Sequence, residues 1–313
     1  MRKGLAAAAL LALTAAVAAV ASHALRQESR LARPTDTVRQ PPPRTEWWYV
    51  HAIDPATART VIVTFFTAPV PAIGGYLYTE TQMTNWSAGT TQRPHAGRGV
   101  RLAEGGVHYD DARRVWIADE KLNGYEIHLK LWRARPGVSI GPFRFGQEDG
   151  NWAVPAATSR ADGWIVTPAA RRIVVRNWRG YLEHAWGSWD LETTSYRGWE
   201  WAAIHEAPGT AWLLGGINRL DGTFIGVLTR VTPKRTTRCI PSLRRERWKV
   251  VDGLRLPQTV SATCGGRTVT FHVVRPYVSP LTRYALSESV GRTDTKGSIG
   301  FIEHFAPLKI RPT

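Results

Sequence analysis

The stretch YEIHLKLW at 125–132 alternates strictly, with Tyr125, Ile127, Leu129 and Leu131 on one face. A period of two is the signature of a strand with one side against a core. Working outward, the same style recurs along the chain. Trp47-Trp48-Tyr49-Val50 runs to a turn at Asp54-Pro55, followed by Thr60–Phe66 and, after Gly74-Gly75, Tyr76–Thr79. Gly105-Gly106, Asn123-Gly124, Asp162-Gly163, Asp221-Gly222, Asp252-Gly253 and Gly265-Gly266 punctuate further short β-branched and aromatic runs. Such spacing predicts an all-β barrel or sandwich architecture with well over a dozen strands. That is too many for one small barrel, so two β modules are expected, at 45–195 and 196–313.

The start of the chain has a different character. Arg2 and Lys3 precede an apolar run from Leu5 to Ala21, with small residues at Ala19-Val20-Ala21 and Ser22-His23-Ala24. This is the pattern of a secretory signal peptide over 1–24, with an uncleaved anchor helix as the alternative. Residues 25–44, with Pro41-Pro42-Pro43, predict a solvated proline-rich linker. The formal charge of +16 falls to +14 once Arg2 and Lys3 are removed. No nucleic-acid motif accompanies the scattered arginines, so the basic balance points to solubility or to an anionic membrane surface. In an exported chain, periplasmic or extracellular, Cys239 and Cys264 most simply pair as a disulfide, the alternative being free thiols.

The chemistry-bearing residues cluster. GYLEHAWGSWD at 180–190 and GWEWAAIH at 198–205 gather Glu183, His184, Trp186, Trp189, Asp190, Glu192, Trp199, Glu200 and Trp201, with Glu206 just beyond. On a strand, Glu183, Ala185 and Gly187 share one face and His184, Trp186 and Ser188 the other, so His184 and Trp186 are expected to point into one cavity. Trp199 and Trp201 share a face opposite Glu200. Indole faces stabilise a developing cation, by roughly 0.5–2 kcal/mol per contact, and a carboxylic acid in a dry setting can deliver the proton that makes it. Core packing is the competing reading. A glycine-rich phosphate loop, a G-x-S-x-G elbow and an H-E-x-x-H zinc motif are all missing from the sequence, so neither a cofactor nor a metal is expected.

Three segments, EWWYV at 46–50, GYLEHAWGSWD at 180–190 and GWEWAAIHEAPGTAWLLGGINRLDG at 198–222, resemble the carotenoid 1,2-hydratase and AttH-like family. The family's patterns are an E-W-W-Y opening, a G-x-x-D-H-x-W-G centre and a following W-x-W-F strand, matched in order over 44–305. The resemblance implies two tandem lipocalin-like β-barrel domains and a cofactor-independent hydratase, isomerase or cyclase acting on an apolar unsaturated molecule. It places Glu46, Trp47, Trp48 and Tyr49 on the opening motif, and His184 and Trp186 on the central histidine and tryptophan, with Glu183 in place of aspartate. Where hydratases are expected to carry a tyrosine and an acid, this chain reads Leu214-Gly215-Gly216-Ile217-Asn218.

The expected site is therefore catalytic Glu183, His184 and Glu200, with Glu46, Trp47, Trp48, Tyr49, Trp186, Trp189, Trp199 and Trp201 lining the ligand. Glu183 or Glu200 would protonate an alkene, and His184 would orient or deprotonate water. The alternatives are a lipid or pigment carrier and an envelope protein acting through its basic surface.

Overall fold

In the computed structural model, which describes residues 29–39, 43–80, 82–145, 148–189, 196–278 and 284–307, the alternating stretch lies in the strand Tyr125–Arg135. Tyr125, Ile127, Leu129 and Leu131 are buried and the residues between them half-exposed. Asn123 and Gly124, both with left-handed φ (51° and 79°), form the two-residue turn joining this strand to Val115–Leu122. Asparagine and glycine tolerate that backbone at little cost. Among the described residues the only helical turn is the 3-10 segment Pro34–Thr37, and no helix is long and apolar enough to cross a membrane.

The strands form two large antiparallel sheets. The first runs, from one edge, Met83–Gly89, Ala72–Tyr78, Thr60–Ala68, Thr45–Ile53, Arg172–Gly187, Glu148–Val166, Tyr125–Arg135, Val115–Leu122, Gly105–Asp110 and Gly99–Leu102. It curls so far that Met83–Gly89 meets Tyr125–Arg135, six places away in that order. Trp86 stacks on Tyr125 at 3.9 Å and donates its indole N–H to Glu120, while the Tyr125 hydroxyl donates to Thr84 Oγ1 at 3.0 Å. Trp48, Val50, Phe65, Leu129, Leu131 and Leu182 fill the interior so enclosed.

The second sheet runs Thr236–Cys239, Phe224–Val231, Thr210–Arg219, Tyr196–Ala207, Ile299–Pro307, Tyr284–Thr293, Arg267–Arg275, Thr259–Cys264 and Ser242–Glu246. Its two edge strands are consecutive in the chain. A disulfide joins Cys239 on one edge to Cys264, one strand in from the other, with Cα atoms 6.3 Å apart. Leu214, Leu228, Val260, Ala262 and Phe271 pack inside. A third apolar cluster is shared: Trp47, Tyr49, Trp152, Tyr181 and Trp189 of the first half meet Trp199, Trp201, Phe301 and Phe305 of the second. The molecule is thus all-β, two curled sheets each with its own interior and a common aromatic layer between them.

The solvated linker expected over 25–44 needs correction where the chain is described. Ser29–Leu31 pairs with the strand Val138–Phe145, and Ala32 and Thr37 are buried. Trp48 Nε1 donates to the Thr37 carbonyl at 3.0 Å and His184 Nδ1 to the Asp36 carbonyl at 2.7 Å. Buried ring N–H groups need acceptors, and this segment supplies them. Residues 1–24, and the signal-peptide expectation with them, lie outside the described residues, as do Asp190 and Glu192.

Candidate active site

The strand Arg172–Gly187 sits mid-sheet against Thr45–Ile53, with Glu183 opposite Tyr49 and His184 opposite Trp48. Both its faces are covered. Leu182 turns into the first barrel with Trp48 and Val50, while Tyr181 and Ala185 turn toward the second sheet with Trp47 and Tyr49. Strand alternation therefore sends His184 and Glu183 into different compartments.

His184 is fully buried between two indoles, 4.2 Å from the Trp48 ring and 4.6 Å from the Trp186 ring. Its Nδ1 serves the Asp36 carbonyl and its Nε2 faces Glu46 Oε1 at 3.1 Å. Thr67 donates to the other Glu46 oxygen. Both ring nitrogens are engaged, which leaves none for a water. The expected cavity at His184 and Trp186 is occupied by this stack, with Trp48 inside the first barrel and Trp47 turned to the layer between the sheets.

Glu200 faces the interior of the second barrel, opposite Trp199 and Trp201 as alternation requires. Arg245 Nε donates to its Oε1 at 2.5 Å and His304 Nδ1 lies 2.9 Å away. Burial opposes ionisation, but His304 and Arg245 together outweigh it and hold the carboxyl at about 2. An acid that strong is an anion at neutral pH, and so cannot serve as the proton donor.

The residues that remain converge between the sheets. Glu183 is 5% exposed and accepts from the Tyr181 hydroxyl and the Trp47 indole. Trp201 Nε1 donates to Tyr181 Oη at 2.7 Å, making a relay Trp201–Tyr181–Glu183. From the second sheet come Glu288 and Glu303, directly opposite each other on adjacent strands. Tyr49 donates to Glu288 Oε2 at 3.1 Å, Tyr78 to its backbone carbonyl, and Trp199 to Glu303 Oε1. Trp189 and Trp152 back this box, with Trp189 edge-on to Trp47 at 5.6 Å and Trp152 stacked on Trp201 at 5.2 Å.

Three carboxyls in so apolar a setting cannot all ionise. Burial, with the charge of Glu303 second, pushes Glu183 up to about 8. Burial and then Glu303 also push Glu288 well above the carboxylate range, and Glu288 gives its proton to a hydrogen bond with Glu303. Burial raises Glu303 too, but the hydrogen bonds it receives from Glu288 and Trp199 oppose the rise. Glu183 and Glu288 are therefore the protonated members and Glu303 the one best placed to carry charge. Glu303 is also the partly exposed one. Around the site, Phe66, Tyr76, Met83, Ile225, Tyr277 and Leu286 are partly buried and form an apolar rim.

Glu288 and Glu303 were missing from the sequence-based site. Their signal was present: each is a charged residue inside an otherwise small or apolar run, ALSESV at 285–290 and GFIEHF at 300–305. The strand Thr210–Arg219, where the family resemblance implies an acid, carries Gly215 instead. A Cβ there would lie 1.6 Å from the Trp201 ring, so glycine is what admits that indole to the box.

No family model and no curated protein matches the sequence. Solved structures do match in fold. An AttH candidate from Nitrosomonas europaea superposes with TM-score 0.66 at 15% identity, covering 87% of this chain and 95% of that one. Kievitone hydratase from Nectria haematococca gives 0.57 at 12% identity, over 84% and 89%. CghA with Sch210972 gives 0.55 at 11%, over 85% and 89%. At these identities the likeness is one of fold: two tandem lipocalin-like β-barrels in the AttH arrangement.

Proposed function

We propose that the protein is a cofactor-independent acid–base enzyme of the carotenoid 1,2-hydratase and AttH-like family, acting on an apolar unsaturated small molecule held between the two sheets. The observation that carries this reading is the burial of Glu183 in a box of Trp47, Trp199 and Trp201 with Glu303 near it, a setting that raises the Glu183 carboxyl to about 8 and Glu303 less. Two titratable groups driven apart by their surroundings mark an acid and its base.

In the hydration form, Glu183 gives its proton to one carbon of a C=C bond and the π electrons form the new C–H bond. The resulting cation lies against indole faces, whose quadrupoles favour it. Glu303 then takes a proton from an attacking water as its oxygen bonds to the cation. The charge balance closes with Glu183 ionised and Glu303 protonated, and a proton passed between them resets the site. Tyr181 holds the Glu183 carboxyl in orientation, and Trp201 fixes Tyr181 in turn. His184 and Glu46 tie down the neighbouring strand from behind. In a cyclase form the same box would lower the barrier further by holding a polyene in a reactive conformer.

Fold likeness to a hydratase and to CghA supports an enzymatic reading. Export by the segment 1–24 and division at 45–195 and 196–313 belong to the same proposal. The test is incubation of purified protein with an acyclic terpenoid or polyene mixture, read by mass spectrometry. A gain of one water supports hydration, and unchanged mass with altered retention supports isomerisation or cyclisation. Ligand recovered intact, with no turnover that Glu183→Gln abolishes, would leave a carrier.

A further inference from the structure

The open end of the second barrel holds a concave cavity of about 510 Å3, away from the inter-sheet carboxyls. Trp212, Leu228, Val269 and the disulfide Cys239–Cys264 contribute to its walls, and Arg230, Arg235, Arg238 and Arg267 surround it. Its construction follows from strand alternation. On Phe224–Val231, Leu228 faces the barrel interior and Arg230, two residues on, faces the same way. On Arg267–Arg275, Phe271 and Val269 belong to the interior layer and Arg267 continues that face to the strand end. The inner surface thus passes from an apolar floor to a cationic mouth.

The charges at that mouth are unevenly compensated. Arg230 lies 5.1 Å over the Trp212 ring and reaches Glu206 at 3.4 Å, while the Trp212 indole donates to the same carboxylate at 3.0 Å. Among the described residues Arg235, Arg238 and Arg267 have no carboxylate partner, and no acidic side chain lines the cavity. Arg238 lies opposite Thr229 on the other face of the sheet. That leaves two uncompensated guanidiniums, Arg235 and Arg267, over an apolar floor, matching the chemistry of a molecule with an anionic head and a hydrocarbon body. Guanidinium forks pair with carboxylate or phosphate oxygens in bidentate fashion.

We infer that this cavity is a second binding site, for a monomeric single-chain anionic amphiphile whose carboxylate or phosphate head sits on Arg235 and Arg267 and whose chain enters between Trp212, Leu228 and Val269. It is independent of the reaction assigned to Glu183. The disulfide beside it ties the edge strand of Cys239 to the strand of Cys264, one in from the other edge.

The test uses the full chain and a fluorescent fatty-acid probe, 11-dansylaminoundecanoate, titrated below its micellar concentration. The expected result is saturable binding that weakens about tenfold or more in Arg235→Ala/Arg267→Ala, weakens with salt, and persists in Glu183→Gln. If the double variant fails to fold, Arg267→Ala alone and the same probe as its methyl ester decide the matter: both must bind more weakly. Equal affinity for acid and ester, or binding to phosphatidylglycerol vesicles with none to the monomeric probe, overturns the proposal. Loss of probe binding in Glu183→Gln would also overturn it, by merging the two sites.

Discussion

Glu288 and Glu303 face each other across adjacent antiparallel strands and share a proton, with Glu288 donating to Glu303. Two carboxyls in that register repel if both ionise, so burial enforces a division of labour between them.

That division predicts opposite outcomes for two isosteric changes. Glu288→Gln keeps an N–H donor toward Glu303, so activity should fall less than about tenfold. Glu303→Gln removes the base and should cost on the order of 10²–10⁴ in turnover. Because the Glu303 charge helps raise Glu183, its removal should also move the alkaline limb of the pH–rate profile to lower pH. Equal losses in the two variants would refute the assignment.

Glu183 makes stability depend on pH with a definite sign. Its folded-state pKa of about 8 lies above its ordinary value of 4.5. The stabilisation it contributes is complete below that ordinary value and is lost as pH rises through about 8, by roughly 4–5 kcal/mol in all. Glu288 and Glu303 act in the same direction. Denaturant melts at about pH 5 and pH 9 should show this loss in the wild type and a clearly smaller one in Glu183→Gln. The same variant should be inactive.

Gly215→Ala places a methyl group into the Trp201 ring. Overpacking of this kind costs about 1–3 kcal/mol, and the displaced indole should release Tyr181 and slow the reaction. In a Trp201→Leu background the added methyl should cost much less. A double-mutant cycle by chemical denaturation measures the difference; additive costs would show that the two residues do not clash.

Arg245→Met should destabilise the second barrel by about 3–5 kcal/mol, because it leaves the buried Glu200 carboxylate without its guanidinium partner. Pairing the change with Glu200→Gln should recover a large part of the loss. Cys239→Ser should cost about 3 kcal/mol by the loop-closure argument, read as a lower midpoint against the oxidised protein.

Much of this molecule could be read from local chemistry. Alternation at 125–131 and the Asn123-Gly124 turn identify a hairpin without reference to anything distant, because side-chain period and backbone handedness are properties of a few consecutive residues. The opposition of Glu183 to His184, and of Glu200 to Trp199 and Trp201, followed from the same rule. What alternation could not say is which compartment each face would meet. Thr45–Ile53 is buried at all nine positions, so polarity gives no contrast between its sides. Only the packing of one curled sheet on the other makes the Trp47 side a carboxyl-lined box and the Trp48 side a sealed barrel interior. Glu288 and Glu303 enter that box from strands about a hundred residues beyond Glu183, and Arg245 neutralises Glu200 across the barrel. Proton affinity depends on burial and neighbouring charge, and those neighbours were set by the tertiary fold rather than by position along the chain.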